Sequence, residues 1–179
     1  MFYVSEIFKT APTVFKNELQ QLVYATLQKL NLPFERVDTA PAITMEDCIM
    51  IDKKLNMKTV KTLFLCNRQQ TNFYLFVTTA NKPFVTKDFS SALGVPRLSF
   101  ASETLLQQKL GVNIGAATIF GVLLDPNNEV RVVIDKDILT EEWYGCSDGT
   151  TTGYMKVKTA GIFNDFLPFA KHEPTVITI

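Results

Sequence analysis

The run Val60-Lys61-Thr62-Leu63-Phe64-Leu65-Cys66, the polar stretch 67–72 and the run Phe73-Tyr74-Leu75-Phe76-Val77-Thr78 decide the fold class of this chain. β-Branched and aromatic residues dominate both runs, and the Asn-Arg-Gln-Gln-Thr-Asn stretch between them is typical of a turn. The sequence therefore predicts a β-hairpin near the middle of the chain. Because side chains alternate along a strand, Lys61 should share one face with Leu63 and Leu65.

Helices and further strands are predicted on both sides of this hairpin. Apolar residues at helical spacing predict an N-terminal amphipathic helix over 13–30, and Gly94 and Gly111 should end two shorter helices. Thr44 with Asp47 resembles a capping box that opens another short helix. The two helices that end at these glycines are expected at 86–93 and 102–110, and a last helix at 159–170. A polar loop is expected at 145–153, and strands at 34–37, 97–100, 116–124, 130–134, 154–157 and 175–179. Since strands and helices do not alternate strictly, we expect one α/β domain over 1–179, with a mixed or mostly antiparallel sheet.

The composition is that of a globular protein, with 46% hydrophobic and 20% charged residues among 179. No apolar run could span a membrane, and the N-terminus lacks the basic leader and cleavage site of a signal peptide, so we expect a cytoplasmic protein without membrane contact. The three cysteines are widely spaced, with no CxxC pair, and there is one histidine. These counts argue against a disulfide framework and a zinc site, and we expect no metal.

The zero net charge conceals an uneven distribution along the chain. Residues 53–109 hold nine basic and two acidic side chains, whereas 1–52 and 110–179 are both net acidic. Either the basic side chains form one face that attracts a polyanion, or they scatter over a solvated surface. Lys53, Lys54 and Lys58 are our candidates for contact with RNA.

Lys61 is the residue that the sequence singles out for chemistry. A lysine on a partly buried strand face needs a counter-charge or a ligand, unless its ammonium reaches water at the strand edge. P-loop, dinucleotide-binding and GxSxG motifs are absent. A nucleophilic Cys146 paired with His172 is a weaker hypothesis, because no local signature supports it and Lys-His-Glu-Pro suggests a surface turn.

Four segments in order resemble the YbaK/ProX family, the stand-alone relatives of the prolyl-tRNA synthetase editing domain. Lys61-Thr62-Leu63-Phe64-Leu65 is similar to the family's Lys-Asn-Leu-Phe-Leu strand. The run 97–102 matches its Arg-Leu-Ser-Phe-Ala-Ser segment, and 110–121 resembles its glycine-containing loop and the strand after it. His172-Glu173-Pro174 matches the His-Glu-Pro near its end. Several matches in the family's order make the resemblance specific.

This resemblance implies an α/β fold in which helices surround a mixed, barrel-like sheet. It implies an aminoacyl-tRNA deacylase that acts in trans on a mischarged proline tRNA, carrying alanine or, as the second choice, cysteine. Prolyl-tRNA synthetase is a further expected partner, and no cofactor is implied. Lys61 corresponds to the family's invariant lysine and Gly115 to its substrate-loop glycine. The implied substrate-binding residues are Ala116, Ala117, Thr118, Ser147, Thr151 and Thr152.

The chain departs from the family in the loop 145–152. Ser147 stands where the family has a histidine associated with holding the terminal adenosine, and Thr151 stands where it has an asparagine. Two hypotheses therefore remain: a deacylase with a rebuilt adenosine contact, or a non-catalytic protein that binds a tRNA end or a nucleotide. Met45, Cys48 and Met50, upstream of Lys61, either form a wall that excludes larger side chains or pack in the core.

Overall fold

Two β-sheets form the framework of the protein, whose computed structural model describes all 179 residues. The larger sheet has the strand order β4-β2-β3-β5-β8 and the smaller one β1-β7-β6. The strands are β1 Phe34–Asp38, β2 Lys61–Asn67, β3 Phe73–Thr78, β4 Leu98–Phe100, β5 Val130–Asp135, β6 Trp143–Ser147, β7 Gly153–Lys158 and β8 Thr175–Ile177. β5 runs parallel to β3 and β8, and the other pairs are antiparallel. The mixed α/β class is confirmed, but the two sheets do not close into a barrel.

The predicted hairpin is confirmed as β2 and β3, with Lys61 opposite Thr78 and Cys66 opposite Phe73. The side chain of Asn67 closes the turn, since its Oδ1 accepts from the amides of Thr71 at 2.8 Å and Asn72 at 3.0 Å. One face of the hairpin belongs to the main hydrophobic core and the other to a smaller cluster that includes Leu65 and Phe76. Burial on both faces explains why the two runs are continuously apolar rather than alternating.

The helices are α1 Glu18–Lys29, α2 Ile49–Leu55, α3 Thr86–Leu93, α4 Glu103–Leu110, α5 Thr159–Gly161 and α6 Leu167–Phe169, with a π-helical turn between the last two. α1 begins later than predicted, because the Asn17 side chain caps it by accepting from the Gln20 amide. Gly94 and Gly111 end α3 and α4 at φ values of +71° and +67°, as glycine stops do. No helix combines the length and the apolar character needed to cross a membrane.

Two expectations about the second half of the chain are wrong. The apolar run 116–124 contains no strand, because Ile119–Leu124 forms a 3₁₀ helix that Thr118 caps through its side chain. Gly121 packs so closely on α4 that a Cβ there would lie 3.0 Å from a methyl of Leu110, so core packing overrides β-propensity. The loop predicted at 145–153 is shorter: β6 extends to Ser147 and β7 begins at Gly153.

The two sheets meet where the chain enters β2. Thr59 forms a parallel bridge with Gly145 of β6, and the amide of Val60 donates to the Gly145 carbonyl oxygen at 2.9 Å. A Cβ on Gly145 would lie 2.7 Å from Met57 Sδ and 2.9 Å from the Lys58 carbonyl oxygen. Only a residue without a side chain therefore allows the segment 57–60 to run alongside β6 at this distance.

His172 is buried, which corrects the expectation of a surface turn. Its Nε2 lies 2.8 Å from Asp125 Oδ2, and its Nδ1 lies 2.6 Å from the Ala170 carbonyl oxygen. Asp125 also accepts from the amides of Glu129 at 3.0 Å and Val130 at 2.8 Å, at the start of β5. The histidine thus ties the C-terminal segment to the turn before β5.

We expect His172→Ala to lower the free energy of unfolding by about 3 kcal/mol, because it leaves the buried Asp125 carboxylate without its side-chain partner. Urea denaturation followed by circular dichroism measures the change. Glu173→Ala, at an exposed neighbouring position, is the control and should stay within about 0.5 kcal/mol of the parent. Equal unfolding midpoints for the two variants would contradict the structural role of His172.

Candidate functional site

A cavity of about 330 Å³, called here the site cavity, opens beside the start of β2. It is formed by four segments: the turn before α2, the chain entering β2, the loop after α4, and the facing strands β6 and β7. The lining residues are Ile43, Thr44, Met45, Cys48, Thr59, Val60, Lys61, Thr62, Leu63, Gly115, Ala117, Cys146, Ser147 and Tyr154. The fold therefore brings Lys61, Gly115, Ala117, Ser147, Met45 and Cys48 to one place. Met50 is exposed and does not line the cavity, so the expectation that it forms part of the wall or the core is wrong.

Gly115 is held in a conformation that favours glycine, with φ at +87°. A Cβ on Gly115 would lie 3.0 Å from the Cα of Ile43, so the loop after α4 touches the turn before α2. The amides of Gly115 and Ala117 donate to no protein acceptor. Two unpaired N–H groups therefore lie in residues that line the cavity, where they can serve a ligand oxygen.

Lys61 contributes a positive charge that no carboxylate neutralises. It takes part in none of the ion pairs of the structure, and its Nζ donates to the carbonyl oxygen of Lys82. An ammonium has three N–H donors, so two remain for a ligand. The counter-charge that burial could have required is thus absent. Lys61 lines the site cavity, and its ammonium is held by the carbonyl of Lys82, a residue outside that lining.

The cysteines of the site cavity are not poised as nucleophiles. Burial raises the pKa of the Cys48 thiol to about 11 and that of Cys146 further still, so both are protonated near neutral pH. Both ring nitrogens of His172 are occupied, by Asp125 and by the carbonyl of Ala170. The hypothesis of a Cys146–His172 pair is therefore wrong.

Four residues implied by the resemblance do not line the site cavity. Ala116 and Thr118 are buried, and Thr118 uses its side chain to cap the 3₁₀ helix. The carbonyl oxygens of Thr151 and Thr152 accept from the amides of Ala42 and Thr39, which ties this turn to the chain after β1. These four residues therefore hold neighbouring parts of the fold together and do not face the site cavity.

The hydroxyl of Ser147 is used inside its own turn. It donates to the Thr150 carbonyl oxygen at 2.6 Å and accepts from the Gly149 amide at 3.0 Å. Gly149 is required by the turn, because its φ is +97° and a Cβ would lie 3.0 Å from Leu19 Cδ2. Ser147 thus closes the turn instead of presenting a free donor where the family histidine would stand.

Asp148 is the structural residue that the sequence analysis missed. Its carboxylate is 1% exposed and accepts from Gln20 Nε2 at 3.0 Å, Tyr24 Oη at 2.8 Å and the Thr150 hydroxyl at 2.7 Å. The turn between β6 and β7 is therefore fixed to α1. Gly153 makes room for this carboxylate, since a Cβ there would lie 2.2 Å from Asp148 Oδ2. The sequence predicted only a polar loop at 145–153, which did not reveal the contact with α1.

Folding partly neutralises the basic excess of residues 53–109, because carboxylates from other segments pair with some of its lysines. Lys58 pairs with Glu141 at 3.0 Å, while Lys53 and Lys54, in the last turn of α2, are exposed and make no ion pair. Two further lysines pair with carboxylates of the acidic C-terminal segment: Lys82 with Asp135 and Asp137, and Lys109 with Glu129. Lys53 and Lys54 therefore stay free of ion pairs, as do Lys61, Lys87, Arg68 and Arg97, which lie on other elements of the fold.

Fold and site together define a compact cavity with free backbone donors and one unneutralised lysine. Residues 39–163 match the family model described as "Aminoacyl-tRNA editing domain". The chain belongs to this family, which includes the YbaK/ProX proteins.

Individual relatives carry the same assignment. The chain is 34% identical over 122 residues to "Prolyl-tRNA editing protein ProX" of Acetoanaerobium sticklandii, a match that covers 68% of this chain and 74% of that protein. It is 26% identical over 170 residues to "Prolyl-tRNA synthetase associated domain-containing protein 1" of Danio rerio, covering 94% and 89%.

A solved structure described as a candidate trans-editing enzyme for prolyl tRNA synthetase shares the fold. It has a TM-score of 0.65 at 15% identity and covers 92% of this chain and 99% of that one. At this identity the similarity concerns the fold alone.

We expect Ser147→Ala to lower the free energy of unfolding by about 1–2 kcal/mol, because it leaves the buried Gly149 amide and Thr150 carbonyl without a partner. Thr151→Ala is the matched control in the same turn, since its hydroxyl makes no hydrogen bond within the protein, and it should be nearly neutral. Chemical denaturation of both variants measures the difference. A Ser147→Ala protein as stable as Thr151→Ala would contradict the role given to the hydroxyl.

Proposed function

We propose that this protein hydrolyses the aminoacyl ester of a mischarged proline tRNA in trans, with alanine as the preferred aminoacyl group and cysteine as the second choice. The observation that carries the proposal is the combination, in one cavity, of the unpaired amides of Gly115 and Ala117 with the unneutralised Lys61. The printed name of the 34% identical relative, a prolyl-tRNA editing protein, supports the choice of substrate.

The proposed reaction needs a water molecule and stabilisation of negative charge. Water attacks the ester carbonyl carbon, the bond from that carbon to the ribose oxygen breaks, and the ribose oxygen takes up a proton. The carbonyl oxygen becomes negative in the transition state, and the amides of Gly115 and Ala117 are suited to donate to it. Lys61 is suited to stabilise the same charge or to pair with the terminal phosphate. No protein nucleophile is required.

We propose that the cavity selects its aminoacyl group by size. A synthetase discriminates poorly against a smaller amino acid, because a missing methylene changes binding by only about 1–3 kcal/mol. A separate editing site that admits only small side chains can hydrolyse the mischarged product and so correct the synthetase's error. Met45, Cys48 and Ala117 line the cavity, and we propose that they form the wall that excludes proline.

We propose that exposed lysines bind the part of the tRNA that lies outside the cavity. Lys53 and Lys54 are free of ion pairs, whereas Lys58 would have to leave Glu141 to reach a phosphate. We propose that the protein cooperates with prolyl-tRNA synthetase in the cytoplasm, because editing in trans takes place where tRNA is charged.

A second candidate function is non-catalytic binding of a tRNA end. One observation favours it: Ser147 spends its hydroxyl inside the turn and therefore does not rebuild the adenosine contact of the family histidine. A protein of this kind would bind tRNA and leave the ester intact.

We expect Lys61→Ala to lower single-turnover deacylation of alanyl-tRNA(Pro) by roughly 100-fold or more, because a preorganised charge next to the reacting ester is lost. Lys87→Ala, an exposed lysine of α3 that makes no ion pair, is the matched control and should retain the parent rate. The assay uses saturating enzyme and a panel of mischarged tRNAs.

Two results would contradict this assignment. A Lys61→Ala protein as fast as the parent would show that the lysine is structural. A parent protein that binds tRNA and releases no amino acid even at saturating concentration would support the non-catalytic candidate.

A further inference from the structure

The ammonium group of Lys61 is oriented by one backbone carbonyl, that of Lys82. Lys61 Nζ donates to this oxygen and makes no other hydrogen bond and no ion pair within the protein. A lysine ammonium sits on a flexible four-carbon stem and has no preferred direction of its own. The position of the Lys82 carbonyl oxygen therefore determines where the charge of Lys61 lies.

Lys82 belongs to the connection 79–85, which joins the end of β3 to the start of α3. Its amide donates to the Thr79 carbonyl oxygen at 3.2 Å and so closes a turn. Pro83 follows, and a residue before proline is largely restricted to extended backbone conformations. The turn and the proline limit the backbone at Lys82, but they do not attach the turn to the rest of the protein. Side chains supply that attachment.

The side chain of Lys82 attaches the turn to the C-terminal half of the chain. Its Nζ lies 2.8 Å from Asp135 Oδ2, 2.7 Å from Asp137 Oδ2 and 3.0 Å from the Ile179 carbonyl oxygen. We call these four residues the Lys82 cluster. An ammonium has three N–H donors, and in this cluster each of them has an acceptor. Lys82 therefore keeps no donor for a ligand, in contrast to Lys61.

Asp135 connects the Lys82 cluster to the strand beside Lys61. Its carboxylate is 1% exposed and also accepts from the Thr78 hydroxyl at 2.6 Å, and Thr78 lies opposite Lys61 in the hairpin. Burial alone would raise the pKa of Asp135, but the bonds from Lys82 and Thr78 lower it. The bonds to Asp135 and Asp137 raise the pKa of Lys82. The ion pairs of the cluster therefore stay charged at neutral pH.

The connection 79–85 has a second, apolar attachment just after Pro83. The ring of Phe84 lies 5.9 Å from the rings of Phe76 and Phe89 and 5.6 Å from that of Phe100, measured between centres. This contact does not involve the Lys82 side chain. Removal of the Lys82 ammonium should therefore free the turn while the connection stays packed on the sheet.

We propose that Lys82 is a positioning residue for Lys61: its ion pairs with Asp135 and Asp137 hold its own carbonyl oxygen where it orients the Lys61 ammonium. This inference rests on the proposed function, in which Lys61 stabilises negative charge at the ester. A charge that is oriented before the reaction stabilises the transition state better than one that must be oriented during it. Lys82 acts only through Lys61, because its own donors are all used.

Lys82→Met removes the ammonium and keeps a stem of similar length. We expect the maximal single-turnover rate on alanyl-tRNA(Pro) to fall about tenfold, while the enzyme concentration that gives half this rate changes less than about twofold. Lys109→Met is the matched control. Lys109 has a side-chain exposure of 27%, against 28% for Lys82, and pairs with Glu129 at 2.8 Å in another part of the fold. It should keep the parent rate, and a Lys82→Met protein that also keeps it would overturn the proposal.

Chemical labelling tests the contact with Lys61 without any tRNA. Lysines are methylated with a limiting amount of formaldehyde and a borane reductant, and peptide mass spectrometry gives the rate at Lys61 relative to Lys87, which is exposed and free of ion pairs. An ammonium that donates to a carbonyl must break this bond before it reacts. We expect the ratio to rise about threefold or more in Lys82→Met and to stay at the parent value in Lys109→Met.

A second variant keeps the test decisive if Lys82→Met unfolds, because Lys82→Met leaves the buried Asp135 with one charged partner fewer. Asp137 has a side-chain exposure of 59%, so Asp137→Ala should fold, which thermal unfolding checks. Because Asp135 remains, we expect a smaller loss, about threefold in the maximal rate, with a higher labelling ratio at Lys61.

The two measurements separate this proposal from the proposed function. A parent protein that binds tRNA but releases no amino acid contradicts the proposed function. A labelling ratio that stays at the parent value in folded Lys82→Met and Asp137→Ala overturns the positioning of Lys61, whatever the deacylation rate.

Discussion

The close passage of the chain at Gly145 is the constraint on which the rest of the structure depends. There the segment 57–60 runs alongside β6 at a distance that leaves no room for a Cβ, and the Val60 amide donates to the Gly145 carbonyl oxygen. This pairing joins the two sheets and directs the chain into β2, which places Lys61 in the lining of the site cavity. The same two residues, Thr59 and Val60, line both the site cavity and a neighbouring cavity of about 510 Å³. One backbone approach thus organises both spaces.

Local signals in the sequence predicted the elements whose structure is decided locally. The hairpin followed from two apolar runs around a polar turn, and the ends of α3 and α4 followed from Gly94 and Gly111. The 3₁₀ helix 119–124 could not be predicted, because its apolar residues fit a strand equally well and packing on α4 decides between them. The buried positions of Asp148 and His172 were missed for a related reason: their partners lie more than 40 residues away, and polar residues in a turn usually face water.

Part of the candidate site could also be found from sequence. Lys61 was identified as a charge on a buried strand face, and the structure adds that no carboxylate compensates it. The uneven charge of the chain proved less informative, because folding brings acidic residues of 110–179 against Lys58, Lys82 and Lys109. The free amides at Gly115 and Ala117 are a property of the backbone path, which no residue pattern shows. Lys61, Gly115 and Ala117 all lie within residues 39–163, the part of the chain that matches the aminoacyl-tRNA editing domain family.

Backbone-amide NMR of the isotope-labelled protein tests most directly whether the site cavity holds an aminoacyl group. The ligand is adenosine that carries alanine at its 3′ position through an amide, which the protein does not hydrolyse. We expect the amide signals of Gly115 and Ala117 to shift most on titration, because they gain the carbonyl oxygen as an acceptor, while Gly94 at the end of α3 stays unchanged. Binding that leaves the Gly115 and Ala117 signals in place would contradict the assignment of this cavity.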